Sequence, residues 1–232
     1  MEPFPEDWQR ALAVVAHPDD LEYGSASAVA RWTAQGKTVA YAMATSGEAG
    51  IQGLAPAACG PLREEEERRS AAVVGVADVF FLGHPDGAVE YGIPLRRHIA
   101  SVIRRVRPEV LITANFDLTW DGTTVNHADH RAVGLAVLDA CRDAANEWCF
   151  PDAGDAWAGA NTVYVGGVGE PTHYVDVTDT FDRGVASLQE HRAYIEGLGA
   201  AFDADAFLRG IAASNGEDAG CPLAVTFRAY SV

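Results

Sequence analysis

Residues 11–16 read ALAVVA, six consecutive apolar positions that stop at His17, and this run limits the fold more than any other feature of the chain. A wholly apolar run of this length fits a strand covered on both faces, as in a parallel sheet, rather than the alternating pattern of a half-exposed edge. Behind it Leu21, Gly24, Ser25, Ala28, Val29 and Trp32 recur at spacings of three and four as far as Gly36, which predicts a helix with a glycine stop. The same unit returns further on. Residues 38–45 (TVAYAMAT) predict a strand, and 79–82 the next one. Between them, 62–76 predicts a helix whose charge run, with Glu64/Arg68 and Glu65/Arg69 at i,i+4, reads mostly as a solvated face. Leu95, Ile99, Val102, Ile103 and Val106 form a helical stripe that Pro108 stops before the apolar run 110–113. A helix carrying Val133, Val137 and Cys141 starts near His127, while 163–168 and 172–177 predict later strands. Residues 180–198 then predict one helix, and 223–230 a last strand at a sheet edge.

Strands that alternate with crossover helices imply the α/β class, because each right-handed β-α-β connection packs its helix back onto the sheet. The expected architecture is a Rossmann-like, doubly wound, mostly parallel sheet with helices on both faces. Neither a repeat nor a linker-like composition interrupts it, so a single domain is expected over residues 1–232. Seventeen Lys and Arg against 33 Asp and Glu give a net charge of −16, which disfavours nucleic acid and anionic lipid as partners. No apolar run approaches the roughly 18 residues of a membrane helix, and the opening MEPFPEDWQR lacks the basic and apolar regions of a signal peptide, so a cytoplasmic protein is expected. Four cysteines without a C-x-x-C pair suggest neither a thiolate metal site nor a disulfide scaffold.

Two long connections, 46–60 and 115–126, follow strands, and open α/β sheets bind their ligands at the carboxyl ends of the strands, beside the topological switch point. There His17-Pro18-Asp19-Asp20 closes the first strand, with Pro18 keeping His17 extended and two carboxylates beside the unpaired N–H groups expected at a helix start. That setting favours ionised carboxylates, which suits one aspartate as a metal ligand and the other as a base for metal-bound water. Helix capping would account for one of them and leaves the imidazole at the end of an apolar strand without a reason. A second cluster, His127-Ala128-Asp129-His130, opens a helix after the second long loop, and its two histidines at i,i+3 share a face. Surface histidines are common; the weight of this cluster comes from following a different strand of the same sheet. A histidine, a carboxylate and a second histidine form the ligand set of many catalytic zinc sites, where the metal lowers the pKa of a bound water towards ~7.

Competing readings fail on the residues. No G-x-G-x-x-G follows the first strand, as a dinucleotide site requires, and Ser46 is not within a G-x-S-x-G. His84-Pro85-Asp86-Gly87 has the composition of a turn, with Asp86 a candidate substrate contact. His98, His173 and His191 read as structural or surface histidines, His191 being the least settled.

Together, A-H-P-D-D at 16–20 and H-A-D-H at 127–130 resemble the two signature motifs of the LmbE-like (PIG-L) zinc-dependent N-deacetylases. The resemblance extends in the same order to Ser46-Gly47-Glu48-Ala49-Gly50, to Arg63 heading an acidic helix, and to Leu82-Gly83-His84-Pro85-Asp86-Gly87. It implies that His17, Asp20 and His130 ligate Zn2+, or another divalent metal such as Fe2+. It implies further that Asp19 is general base and then general acid, and that His127 assists at the tetrahedral intermediate, oriented by Asp129. On the weaker local motifs, Arg63 and Asp86 would grip sugar hydroxyls and Glu48 would line the pocket. The chain departs from the family at Val125, where some members place a tyrosine, and at His191-Arg192-Ala193-Tyr194, where relatives often show histidine followed by Ser-Gln. The implied activity is hydrolysis of the acetamido group of an N-acetylglucosamine conjugate or related N-acylated amino sugar. The alternatives are an amidase of a larger thiol or peptide conjugate and a non-catalytic sugar-binding module. The expected partner is that small molecule, with homo-oligomerisation left open.

Overall fold

The structure is a computed structural model that describes residues 1–199 and 202–232. The apolar run forms β2 (Arg10–Val15), preceded by the two-residue β1 (Glu2–Pro3) and followed by α1 (Ala26–Ala34) and β3 (Thr38–Met43). Next come α2 (Pro56–Val73), β4 (Asp78–Phe81), α3 (Ile93–Val106), β5 (Val110–Ala114) and α4 (Ala128–Ala145). The chain closes with β6 (Thr162–Gly166), β7 (His173–Asp176), α5 (Phe181–Leu188), α6 (Arg192–Gly197), α7 (Ala204–Ala219) and β8 (Ala224–Ser231).

Eight strands make one sheet in the order β1-β7-β8-β6-β5-β2-β3-β4, parallel except where β8 pairs with β6 and β7. This is the doubly wound α/β architecture expected from the alternating pattern. Strand β2 shows why its sequence carries no polar alternation. Ala11, Ala13 and Val15 join a core cluster with Trp32 of α1, Leu188 of α5 and Leu208 of α7. Leu12 and Val14 join the opposite cluster with Ile99 of α3 and Val137 of α4. Both faces are dry, and a fully buried Leu12 contributes about 1.5–3 kcal/mol relative to an exposed one. The direction of winding changes between β2 and β5, neighbours in the sheet with separate crossovers, so their carboxyl ends flank the crevice where such folds bind ligands. Among the described residues no helix is long and apolar enough to cross a membrane.

Several expectations need correction. The first helix starts at Ala26 rather than near Leu21, and residues 18–25 form successive turns, so Asp19 and Asp20 do not sit at its N-terminus. The second helix begins at Pro56, with proline in the first turn where its missing N–H costs nothing, and this shortens the loop expected over 46–60. The helix expected over 180–198 breaks into α5 and α6 because His191 leaves helical geometry (φ −80°, ψ 55°) and turns its imidazole into the interior. Helix α7 has no counterpart in the sequence reading; its buried stripe is Ala204, Leu208, Ala212 and Gly216, mostly small residues with little apolar contrast. Strand β8 lies inside the sheet between β6 and β7, and the edge strand on that side is β1, paired with β7 through Glu2–His173 and Pro3–Tyr174.

Candidate active site

Two residues past β2 the backbone is folded back by Asp20, whose Oδ2 accepts the N–H groups of Ala16 (3.0 Å) and His17 (2.8 Å). This leaves Oδ1 3.1 Å from Nε2 of His130, which the start of α4 brings in from beyond β5. Nδ1 of His17 lies 3.1 Å from the same His130 nitrogen and 3.6 Å from Asp20 Oδ2. Two imidazole nitrogens and the carboxylate of Asp20 thus converge from two distant segments, with separations that suit metal–ligand bonds of about 2.0–2.2 Å. His17 turns its other nitrogen to Asp86 Oδ1 (3.1 Å) and Asp129 Oδ2 (3.2 Å), the outer support that orients a metal-binding imidazole. Those two carboxylates with His17 form a second possible ligand set. In that set, however, Asp129 is engaged through both oxygens, by the N–H groups of Gly87 (2.7 Å) and Val89 (3.1 Å), whereas Asp20 accepts backbone N–H groups through Oδ2 alone and keeps Oδ1 for a cation. The set with two imidazoles and Asp20 is therefore the better metal cradle.

The electrostatics also favour a cation. Burial opposes charge on His17, yet the Asp20 charge and hydrogen bonds to Asp129, Asp20 and Asp86 push its pKa up to about 12. Burial alone would raise Asp20, but His130 and His17 hold it well below the usual carboxylate range. Without a metal the cluster stabilises positive charge on the His17 imidazole, as an anionic cradle does.

Asp19 has a different setting. It is a non-glycine residue with φ +94°, a sparsely populated conformation that the surroundings must enforce. Its N–H donates to Glu67 Oε2 (3.3 Å), Oδ1 lies 3.2 Å from Nη2 of Arg63, and Oδ2 is buried without a partner. Burial raises its pKa to about 6 against the opposing charge of Arg63, so the sequence expectation of a firmly ionised Asp19 is corrected. Arg63 is only 2% exposed; besides Asp19 it binds the carbonyls of Pro18 and Gly47 and lies 4.4 Å over the ring of Tyr194. Gly47 is required there: its φ is +62°, and a Cβ would come within 2.4 Å of the guanidinium.

The remaining expected residues are distributed as follows. His127 faces solvent at the start of α4 with its ring stacked on His130 (5.0 Å between centroids), and burial together with His130 and His17 lowers its pKa. Asp129 does not orient His127 as expected; it supports His17 and the 87–89 turn. Glu48 does not line the cavity; it accepts the N–H of Asp86 (2.9 Å) and of Ser46 (3.2 Å), and so holds the two loops together. Asp86 and Arg63 do line it, both already engaged as described.

Behind Asp19 lies a group that the sequence reading missed. Glu22, Glu67 and His191 are fully buried, with His191 Nε2 3.7 Å from Glu22 and 3.6 Å from Glu67. Burial and the neighbouring Glu22 raise Glu67 well above a normal carboxylate, and Glu22 raises His191 against the effect of its burial. The run has the solvated face expected, where Glu64 pairs with Arg68 (2.9 Å) and Glu65 with Arg69 (3.4 Å), and behind it a buried polar face of Arg63, Glu66, Glu67 and Ser70 that was not expected. The signal was present: within 63–70 no apolar residue occurs, so the side of α2 that meets the core had to be polar.

His17, Asp19, Asp20, Arg63, His127 and His130 open onto a cavity of about 740 Å³ lined also by Tyr23, Trp120, Tyr194, Phe207 and Ile211. Trp120 meets His130 edge-on at 5.3 Å.

Comparison with known proteins agrees with this geometry. A family described as GlcNAc-PI de-N-acetylase matches residues 12–141. The chain is 28% identical over 201 residues to a diacetylchitobiose deacetylase of Thermococcus kodakarensis, covering 83% of this chain and 72% of that one. It is 31% identical over 139 residues to a probable N-acetyl-alpha-D-glucosaminyl L-malate deacetylase 2 of Bacillus anthracis, covering 57% of this chain and 59% of that one. The chain therefore spans less than two thirds of the second relative's length. In fold it is similar to N,N'-diacetylchitobiose deacetylase from Pyrococcus horikoshii, with a TM-score of 0.87 at 22% identity over 97% of this chain and 85% of that one.

Proposed function

Because the chain belongs to the GlcNAc-PI de-N-acetylase (PIG-L, LmbE-like) family, we propose that it is a metal-dependent N-deacetylase. It would hydrolyse the acetamido group of an N-acetylglucosamine conjugate or related N-acylated amino sugar to acetate and free amine. The observation that carries this reading is the meeting of His17, Asp20 and His130 beside a buried carboxylate that is not part of their cluster. His17 Nδ1, Asp20 and His130 Nε2 would hold the cation, and zinc suits two imidazoles and one carboxylate; Fe2+ is accepted by the same donors. Bound there, the metal supplies Lewis acidity that polarises the amide carbonyl and acidifies a water.

The chain's own residues do the rest. Asp19 takes a proton from the attacking water and returns it to the departing nitrogen, so one carboxyl group serves as base and then acid. A pKa of about 6 fits that double task near neutral pH. Arg63 and Glu67 hold Asp19 in its strained conformation, so little reorganisation precedes proton transfer. His127, with a lowered pKa, offers a neutral imidazole at the cavity wall as a donor to the oxygen that gains charge. Asp86 and Asp129 keep His17 in the ligating orientation.

The test is acetate release from a panel of N-acetylglucosamine conjugates by wild type and Asp19→Ala. The variant is expected to retain its metal and lose at least 1000-fold in kcat, of the order seen when general acid–base catalysis and positioning are both removed. Equal turnover by the variant would remove Asp19 from the reaction. Tight sugar binding without acetate release by wild type would instead favour a binding module.

A further inference from the structure

We propose that the sugar is carried on an uncharged aglycone with an apolar face, seated against Phe207 and Ile211 of α7. This inference rests on the deacetylase reading and specifies its substrate. Among the described residues, every charged one that lines the cavity belongs to the cluster around the metal cradle and Asp19. Arg63 is the sole lysine or arginine among the described lining residues, and its guanidinium is committed to Asp19 and to the carbonyls of Pro18 and Gly47. An anionic aglycone would find no free cation there and would enter the field of a chain with net charge −16. Bringing a carboxylate into such a site without a partner is costly.

The wall formed by α7 offers the opposite chemistry. Phe207 and Ile211 lie one helical turn apart and are 45% and 44% exposed, while Leu208 and Ala212 of the same helix are buried in the core. The core therefore does not account for the first pair. Phe207 is fixed by aromatic neighbours, edge-on to Tyr23 at 5.8 Å and 5.6 Å from Phe202, which makes it a rigid platform rather than a loose surface side chain. Asn215, one turn beyond Ile211, and Thr226 of β8 add neutral hydrogen-bonding groups to the same lining. Apolar platforms with a few uncharged polar groups bind a pyranose face, a cyclitol or an aryl group and give a carboxylate nothing to pair with.

Two N-acetylglucosamine glycosides matched in size test this with the metal-loaded enzyme, one bearing a neutral aryl or cyclitol group and the other a hydroxy-dicarboxylic acid. The expected result is at least a tenfold higher kcat/KM for the neutral glycoside. Phe207→Ala should raise KM for that glycoside at least fivefold with metal content unchanged. Ile211→Lys should shrink the preference at least fivefold by giving the acid a partner. Equal or better turnover of the acidic glycoside, or a Phe207→Ala enzyme with wild-type KM, would overturn the assignment of the aglycone and leave the deacetylase reading standing. Acetate release from neither glycoside would overturn both.

Discussion

Replacing Arg63 with methionine tests how the fold holds Asp19, and the expected effect depends on pH in a defined way. Arg63 and Asp19 are both buried, and the guanidinium is the cation within 4 Å of the carboxylate. Asp19 has a folded pKa of about 6 against a reference of 3.8. The folded state therefore binds this proton more tightly than the unfolded chain, and stability from this group falls as pH rises through that window and levels off above it. Without Arg63 the folded pKa moves higher still and the fall continues upward, each further pH unit adding about 1.4 kcal/mol to the difference from wild type. Breaking one partner of a buried pair costs roughly 3–5 kcal/mol, which corresponds to an extension of about two to four pH units. Urea unfolding of metal-free wild type and Arg63→Met at about pH 5 and about pH 8 measures this, because wild-type Asp19 is mostly protonated at the first and ionised at the second. Near pH 5 the difference should contain only the lost carbonyl hydrogen bonds and the Tyr194 contact; near pH 8 it should be about 2 kcal/mol or more larger. A difference of the same size at both pH values would refute the pairing argument.

Glu67→Ala, which removes the acceptor of the Asp19 N–H, should lower kcat at least tenfold in steady-state assays without changing KM or metal content, and Glu67→Gln should restore most of the loss because an amide oxygen still accepts. Gly184→Ala should destabilise the fold by about 1–3 kcal/mol in thermal or urea unfolding. There a Cβ would lie 2.0 Å from Oγ and 2.8 Å from the backbone N of Ser27, so α5 must move off α1. Asp121→Ala should raise KM several-fold with no measurable change in Tm, since this exposed carboxylate ties the N–H groups of Thr123 (2.8 Å) and Thr124 (2.7 Å) in the loop that carries Trp120 to the cavity.

Much of this architecture was readable in the chain because its signals are local. The run at 11–16 reported burial on both faces, and the stripe from Leu95 to Val106 reported α3, because apolar contrast marks the side that meets the core. That the segments 17–20 and 127–130 meet was also foreseeable, since each follows a strand at the same end of a parallel sheet, while the choice of His17, Asp20 and His130 within them came from the family resemblance. Where the contrast vanishes or inverts, reading fails. On α2 the solvated pairs Glu64/Arg68 and Glu65/Arg69 were legible, but the buried side, with Arg63, Glu66, Glu67 and Ser70, was not, because the partners Glu22 and His191 are distant in sequence. Helix α7 packs through alanine and glycine and keeps Phe207 and Ile211 outward, which blurs its periodicity. The place of β8 between β6 and β7 follows from long-range pairing that no local pattern encodes. Asp129 shows the limit at the site: the resemblance implied that it orients His127, but the first turn of α4 points its carboxylate at His17 and the 87–89 turn.

Metal content measured on purified wild type, His17→Ala, His130→Ala and Asp19→Ala tests the account most directly. About one tightly held divalent ion per chain is expected in wild type and in Asp19→Ala, and severalfold less in either histidine variant, since losing one ligand of a three-residue set removes most of the affinity. A full complement of metal in His130→Ala, or none in wild type supplied with zinc, would contradict a cation held jointly by the segments after β2 and β5.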